Sequence, residues 1–331
     1  MEQVMLEMSG RTHRDGDLAI EAVDLRRRFG ETLAADGISL KVPRGSVFGL
    51  LGPNGAGKTT TVRMLTTLLR PDSGTARVAG YDIVRDAVEV RRRIGLVGQY
   101  AAVDEILSGY QNLFLIGRLY GMNGSQAKKR ANELLERFDL LEPGKKAVKT
   151  YSGGMRRRLD LAASLVVSPP ILFLDEPTTG LDPNGRAATW DIISTMTKGG
   201  TTVMLTTQYL EEADQFAEQI AVIDHGKVVA EGTPAQLKAR LGKSTLVVHL
   251  DDNMTEAKAR SAVDRYAAAP PALRQNELVV QLNDLGQTAE IITALAQAGA
   301  NLDQIHIAKA SMDDVFFELT GKNRAQEGLA A

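Results

Sequence analysis

The sequence contains no cysteine, which excludes disulfides, thiolate zinc sites and a thiol nucleophile and is compatible with a reducing cytosol. Aromatic residues make up only 5% of the 331 residues, and the formal net charge is −2. Three arginine triplets occur, but they are scattered and lack interleaved aromatics, so we expect no nucleic-acid partner. A chain of this length can bury a substantial core and hold one large domain with a smaller second one.

Long apolar runs are also missing. No stretch approaches the roughly 20 apolar residues that a membrane-spanning helix needs, and residues 1–17 lack the apolar core of a signal peptide. We therefore expect neither a transmembrane segment nor a signal peptide, and disordered ends at 1–17 and 322–331. If the chain works at a membrane, another protein must hold it there.

The most informative stretch is a glycine-rich turn at residues 52–60, between an apolar strand pattern at 47–51 and a helical pattern at 61–69. Glycines let the backbone approach phosphate oxygens, and successive amides with the helix N-terminus attract anions. Lys58 is expected to reach the β and γ phosphates, and the Thr59 hydroxyl to ligate Mg²⁺. A chance turn would not place Lys-Thr on the first helical turn, so nucleoside triphosphate binding is predicted. The predicted nucleotide-binding residues here are Gly52, Pro53, Asn54, Gly55, Ala56, Gly57, Lys58, Thr59 and Thr60.

A second candidate anion site is the sequence Tyr-Ser-Gly-Gly-Met at 151–155, ahead of a helical pattern at 156–167. Ser152 suits an N-cap, and the amides of Gly153 and Gly154 would face outward. An isolated motif of this kind would be an ordinary helix cap. The phosphate loop upstream in the same chain favours the functional interpretation.

Two acids, Asp175 and Glu176, follow an apolar run at 171–174 that is typical of a central parallel strand. Two adjacent carboxylates beside a buried strand cost free energy unless a cation neutralises them. A Mg²⁺ ion bound to phosphate could be that cation. Asp175 therefore fits a metal-holding acid, and Glu176, next to Pro177, a residue that orients or deprotonates water. A solvated turn is the alternative, which the preceding apolar run disfavours.

Other polar residues stand at strand ends or beside loops. Gln99 follows a strand pattern at 94–97, and Gln208 follows a buried strand at 201–207. From its position alone, Phe29 is equally consistent with a residue at the edge of the core and with an aromatic ring that stacks on a purine base. His225 lies in a hairpin turn and is not expected to be catalytic.

The C-terminal region, 236–321, alternates strand and helix patterns and has neither a phosphate loop nor an acid cluster. We interpret it as a small α+β domain for dimerisation or regulation, behind a first domain at 18–235 whose helical part spans about 100–165. Its predicted strands are 245–250, 277–282 and 304–307, and its predicted helices are 255–269, 288–298 and 311–320.

Together these motifs resemble, over residues 18–235, the nucleotide-binding domain of ATP-binding cassette (ABC) transporters. Residues 52–60 match the Walker A loop, Gln99 the loop that senses Mg²⁺, and residues 151–155 the signature motif. Residues 171–176 match Walker B with its catalytic glutamate, and 180–182 the D-loop. The sequences of residues 151–162 and 312–316 are similar to those of the drug-resistance branch of this family, which is typified by daunorubicin and doxorubicin exporters.

The resemblance implies an α/β P-loop NTPase fold, with a RecA-like core, an antiparallel β subdomain and a helical subdomain, followed by the C-terminal domain. It implies ATP and Mg²⁺ as cofactors and favours the stacking role for Phe29. The catalytic residues it implies are Lys58, Glu176 and Gln208, with Thr59, Gln99 and Asp175 at the metal. It adds Phe29, Gln99, Ser152, Gly153, Gly154 and Asp182 to the nucleotide-binding residues.

One departure is Gln208, which stands where the family usually has a switch histidine. Glutamine can donate a hydrogen bond to the γ phosphate but cannot take up a proton. We therefore expect Glu176 to dominate hydrolysis and Gln208 only to position phosphate.

The resemblance further implies a homodimer, or a pair with a second ABC subunit, in which the signature helix of one copy closes on the ATP of the other. The chain would be the ATP-hydrolysing motor of an exporter at the cytoplasmic face of the cell membrane, with the cargo bound by a separate permease. Alternatives are export of lipid or polysaccharide, a soluble cassette ATPase outside transport, and a regulatory module that binds ATP without hydrolysing it.

Overall fold

The computed structural model describes residues 18–98, 102–240, 245–251, 254–267, 270–274, 276–282, 285–308 and 311–320. Gln99 and the predicted disordered ends lie outside these residues. The chain divides into two compact units between Glu231 and Gly232. Among the described helices, none combines the length and the apolar character needed to span a bilayer.

The first unit contains a four-stranded antiparallel sheet in the order β2-β1-β4-β5. Buried residues alternate in the second half of β2, at Ile38, Leu40 and Val42, whereas register shifts interrupt the alternation in β1 between Ala22 and Leu25. Leu25 and Ile38, paired across these strands, belong to the same apolar core as Phe48 and Phe173 of the second sheet. The strands of this sheet are β1 Leu18–Phe29, β2 Thr32–Pro43, β4 Ser73–Val78 and β5 Tyr81–Asp82.

The second sheet of this unit has six strands in the order β10-β9-β3-β8-β7-β6. The pairings β9-β3, β3-β8, β8-β7 and β7-β6 are parallel, so the carboxyl ends of these strands meet at one edge of the sheet. This edge collects the glycine-rich loop after β3, Gly98 after β6, Glu176 after β7 and Gln208 after β8. The strands are β3 Val47–Leu51, β6 Ile94–Val97, β7 Ile171–Asp175, β8 Thr202–Thr207, β9 Gln219–Asp224 and β10 Lys227–Gly232.

Helix starts in this unit follow capping residues rather than the apolar pattern alone. Ser108 and Asn123 both form capping boxes with the glutamine three residues later. The first helix begins at Lys58, three residues before the apolar pattern at 61–69, and Gly57 precedes it at φ 109°, so Lys58 and Thr59 lie in its first turn. It ends at Leu65, because Thr67 adopts φ 64°. The helices are α1 Lys58–Leu65, α2 Ala87–Arg91, α3 Gly109–Leu119, α4 Gly124–Arg137, α5 Gly153–Ser164, α6 Pro183–Lys198 and α7 Leu210–Phe216.

The second unit contains an antiparallel sheet in the order β12-β13-β11-β14. Leu246, Val248, Leu278 and Val280 of the sheet form an apolar core of their own with Leu295. The elements of this unit are α8 Pro234–Arg240, β11 Thr245–His249, α9 Glu256–Val263, β12 Ala272–Arg274, β13 Glu277–Gln281, α10 Thr288–Gln297, β14 Ile305–Ala308 and α11 Met312–Thr320.

One helix of this unit is shorter than predicted, and one strand was missed. The helix predicted for residues 255–269 ends at Val263 and continues only as the short 3₁₀ turn Asp264–Tyr266. Strand β12 was not predicted, because three residues are too few for a pattern of alternation. The capping of the last helix agrees with its sequence: Ser311 Oγ accepts from the Asp314 amide at 3.1 Å, and Asp314 Oδ2 accepts from the Ser311 amide at 3.0 Å.

Candidate functional site

The glycine-rich loop between β3 and α1 is held in one conformation by close backbone packing. A Cβ atom at Gly57 would lie 2.2 Å from the Ala34 carbonyl oxygen of β2, and one at Gly52 would lie 2.3 Å from the Ile223 carbonyl oxygen of β9. Gly57 also adopts φ 109°, where other residues are strained. Glycine is therefore required at both ends of the loop.

Lys58 is 5% exposed, and its ammonium lies against the inside of this loop. Its Nζ donates to the carbonyl oxygens of Gly52 at 2.6 Å and Pro53 at 3.2 Å. Burial lowers the pKa of Lys58, while the charges of Glu176 and Asp175 raise it. The loop thus holds the Lys58 ammonium close to the amides at the N-terminus of α1. A cation beside free backbone amides is the arrangement that binds a polyphosphate.

Asp175 brings a carboxylate to the first turn of α1. Its Oδ1 accepts from Thr206 Oγ1 at 2.6 Å and from Thr59 Oγ1 at 3.4 Å. Asp175 is 5% exposed at the end of β7. A hydroxyl and a carboxylate are oxygen donors that suit Mg²⁺, which commonly takes one or two protein ligands and completes its shell with phosphates and water.

The described residues contain no group of three or more His, Asp or Glu side chains arranged to hold a metal unaided. Thr59 and Asp175, as two oxygen donors, fit a magnesium ion that arrives with a nucleotide. Gln99, the third predicted metal residue, lies outside the described residues.

Glu176 occupies a left-handed backbone position at φ 51° immediately after β7. Its amide donates to the Thr206 carbonyl at 3.1 Å and to Thr206 Oγ1 at 3.0 Å. Its carboxylate Oε2 accepts from Thr179 Oγ1 at 3.3 Å. The side chain is half-buried and lines a cleft of about 790 Å³ together with Asn54 and Gln208.

The same cleft is lined by Gly153 and by Gly180 of the loop before α6. The structure therefore brings the edge of the phosphate loop, the second acid of the pair, the glutamine after β8 and the Ser-Gly-Gly segment around one opening. Phe29 is not among the described residues that line it. The Phe29 ring is 46% exposed at the end of β1, with the Arg27 guanidinium 5.1 Å from its centroid.

The Ser-Gly-Gly segment starts α5: Ser152 is the N-cap, and the helix begins at Gly153, three residues before the helical pattern at 156–167. Ser152 Oγ accepts from the Met155 amide at 3.3 Å, and open space surrounds the α-carbons of Gly153 and Gly154. Tyr151 anchors the segment through its hydroxyl, which donates to the Pro143 carbonyl at 2.7 Å. The helix N-terminus is thus fixed and sterically accessible.

Asp182 caps α6 in the same way: its Oδ1 accepts from the Gly185 amide at 3.1 Å, and Pro183 begins the helix.

His225, expected to be a turn residue, adopts φ 46° with a side chain that is 94% exposed.

Three residues that shape the site were missed by the sequence reasoning. Gly226 donates its amide to the Ala56 carbonyl at 2.9 Å and so buttresses the phosphate loop from the β9-β10 turn. Thr206 binds both acids after β7, and the buried Arg157 contacts the carbonyls around them. The available signals were weak: a His-Gly turn, a threonine in a buried strand, and an arginine four residues before the buried Leu161.

Comparison with known proteins bears directly on this site. Residues 35–179 match the family model described as ABC transporter, and residues 232–320 match that of the C-terminal domain of DrrA1-3-like ATP-binding proteins. The daunorubicin resistance ATP-binding protein DrrA3 of Streptomyces coeruleorubidus is 50% identical over 93% of this chain and 98% of that protein. The daunorubicin/doxorubicin resistance ATP-binding protein DrrA of Streptomyces peucetius is 49% identical over 92% of both chains.

Solved structures agree. An ATP-binding subunit of an ABC transporter superposes with a TM-score of 0.62 at 25% identity, covering 68% of this chain and 93% of that one. A dimeric ATP-binding cassette in a post-hydrolysis state, bound to ADP and phosphate, superposes with a TM-score of 0.60 at 25% identity, covering 65% and 98%. The predicted P-loop NTPase fold and the family resemblance are confirmed. The chain therefore belongs to the ATP-binding proteins of ABC transporters, as an ATPase of the daunorubicin-resistance group.

Proposed function

We propose that this chain is the motor subunit of an exporter that expels a hydrophobic compound of the daunorubicin type through a separate membrane permease. The observation that carries the proposal is the 49–50% identity to daunorubicin-resistance ATP-binding proteins over nearly the whole chain, the C-terminal unit included. The cargo itself contacts the permease. The chain works at the cytoplasmic face of the cell membrane, where the permease holds it.

ATP binds with its β and γ phosphates against the amides of residues 52–60 and the ammonium of Lys58. This role follows from the position of Nζ inside the loop, 2.6 Å from the Gly52 carbonyl. Phe29 stacks on the base, with the face of its ring that Arg27 does not cover. Thr59, Asp175 and Gln99 would hold the accompanying Mg²⁺, which would neutralise charge on the phosphates.

Glu176 orients and deprotonates the attacking water. Its carboxylate is half-buried at the cleft and accepts one hydrogen bond from Thr179, which leaves oxygen lone pairs for a water. Gln208 lines the same cleft and positions the γ phosphate by donating a hydrogen bond. Because an amide cannot carry the proton, proton transfer depends on Glu176.

Two copies act together, as a homodimer or with a second ABC subunit. The accessible N-terminus of α5, with Ser152, Gly153 and Gly154, binds the ATP held by the other copy. Asp182 lies beside the interface between the two copies. Closure around ATP and release after hydrolysis are transmitted through the Gln99 segment to the permease.

Export of a lipid or a polysaccharide is the second candidate. A Nod factor export ATP-binding protein I of Paraburkholderia xenovorans is 37% identical over 92% of this chain and 98% of that protein. The lower identity ranks this candidate behind drug export.

The test is ATP-driven daunorubicin uptake into inverted membrane vesicles from cells that express the chain with the membrane protein that copurifies with it. We expect uptake with MgATP and none when Lys58→Ala replaces the wild type. Intact ATPase activity without daunorubicin transport would contradict the drug cargo while leaving the motor role standing. If no membrane protein copurifies with the chain, the motor role is contradicted.

A further inference from the structure

Arg157 of α5 is 9% exposed, and it lines the same cleft as Glu176 and Gln208. Its Nε donates to the Pro177 carbonyl at 2.8 Å, and its Nη2 donates to the carbonyls of Asp175 at 3.3 Å and Glu176 at 3.1 Å. Its Nη1 donates to the Gly98 carbonyl at 2.7 Å. One side chain of α5 therefore holds the backbone after β7 and after β6 at the same time.

Asp160, one helical turn later, extends this contact. Its Oδ2 lies 3.6 Å from Arg157 Nη1, and its Oδ1 accepts from the Ala102 amide at 2.9 Å. Asp160 is 3% exposed. The two side chains together bind Gly98 and Ala102, the described residues on either side of Gln99.

The backbone that Arg157 holds is strained. Glu176 adopts φ 51°, a conformation that residues with a side chain rarely take unless their surroundings impose it. Thr206 binds the amide of Glu176, and Arg157 binds its carbonyl. The direction of the Glu176 carboxylate is thus set by anchors on both sides of the residue.

The burial of this pair is costly. Burial lowers the pKa of Arg157 and raises the pKa of Asp160, and the opposite charges of the two side chains act against these shifts. Buried ion pairs are often no more stabilising than apolar residues of similar size. A positioning function explains the pair better than stability does.

The neighbouring arginines of the triplet behave differently. Arg156 donates to Glu105 and to the Lys149 carbonyl, and Arg158 pairs with Asp139 and donates to the Phe138 carbonyl. The functional contacts are specific to the middle residue.

We propose that Arg157, supported by Asp160, is a positioning residue for ATP hydrolysis that links the signature helix α5 to the peptide aiming Glu176 and to the residues flanking Gln99. The proposal rests on the role proposed above for Glu176. A change at the N-terminus of α5 would then reach the hydrolytic carboxylate through a single guanidinium.

The first test is Arg157→Gln in the full chain, with Arg158→Gln as the matched control. We expect kcat for MgATP to fall about 10²-fold, as misplacement of a reacting group typically causes, while the Kd for a fluorescent ATP analogue stays close to that of the wild type. Arg158→Gln should leave both values unchanged. A raised Kd with unchanged kcat would show that Arg157 binds nucleotide instead, and would overturn the proposal.

The second test is a double-mutant cycle with Glu176→Gln. If Arg157 acts through Glu176, Glu176→Gln should slow hydrolysis strongly in the wild type and only slightly in Arg157→Gln. An equal loss in both backgrounds overturns the positioning role. No loss in the wild type would instead refute the role of Glu176, so the two failures are distinguishable.

The third test addresses Asp160 and folding. Asp160→Asn keeps an oxygen that accepts from Ala102 and should retain most activity, whereas Asp160→Ala should lose it with unchanged Kd. Arg157→Lys, which keeps the charge but cannot reach four carbonyls, covers the case in which Arg157→Gln does not fold. It should also lower kcat with little change in Kd. If neither Arg157 variant folds, the residue is structural and the proposal is overturned.

Discussion

At the scale of single residues, Gly57 shows how tightly the phosphate loop is constrained. Gly57→Ala places a methyl group 2.2 Å from the Ala34 carbonyl at φ 109°. We expect a loss of about 1–3 kcal/mol in unfolding free energy from the backbone strain, with weaker ATP binding because the loop must shift. Urea unfolding and nucleotide titration measure the two effects.

Gly124→Ala is the matched control. Gly124 begins α4, its φ is not in the left-handed region, and open space surrounds its α-carbon. The exchange should change stability by no more than about 0.5 kcal/mol and leave ATP affinity unchanged. Equal effects at both positions would contradict the packing argument.

Residues of the site were predictable where their neighbours in sequence define their chemistry. Lys58, Thr59 and Asp175 follow strand ends or begin a helix, and the structure places Thr59 Oγ1 3.4 Å from Asp175 Oδ1. Arg157 and Gly226 were not predictable, because their contacts join segments 18–59 and 170 residues apart in the chain. A single sequence carries no signal for such pairings.

At the scale of elements, the start of α5 depends on Tyr151. Its buried hydroxyl donates to the Pro143 carbonyl. Tyr151→Phe should cost about 1 kcal/mol in unfolding free energy, the typical net value of one hydrogen bond. Tyr120→Phe, where half of the side chain is exposed, should cost less. Equal costs in urea unfolding would contradict the anchoring role.

Element types were more predictable than element ends. The continuous apolar runs of β3 and β7 identify buried parallel strands, and both were predicted within one residue. The helices α1 and α5 end at Leu65 and Ser164, before the ends of the apolar patterns at 69 and 167. Thr67 and Ser168, just beyond them, adopt left-handed backbone angles, which apolar periodicity does not register.

At the scale of the whole molecule, the C-terminal unit has an apolar core of its own around Leu278. We therefore expect a fragment of residues 232–320 to fold and to unfold in a cooperative thermal transition. Circular dichroism measures this transition. Leu278→Ala should remove that transition, because emptying a core position costs about 2–5 kcal/mol. A wild-type fragment without a transition would contradict the assignment of an independent domain.

The family and the fold of the first unit were predictable because five motifs occur in a fixed order along the chain. The four-stranded sheet of the second unit was only partly predictable, since its edge strand β12 has three residues. Short edge strands take their conformation from the neighbour they pair with, here β13.

The central claim is that the loop with Lys58 binds ATP and that Glu176 drives its hydrolysis. Single-turnover hydrolysis of MgATP by Glu176→Gln, with equilibrium binding measured on the same protein, tests it most directly. We predict unchanged binding and hydrolysis slowed about 10²-fold or more, as loss of a general base causes. Turnover near that of the wild type, in protein that still binds ATP, would contradict the claim.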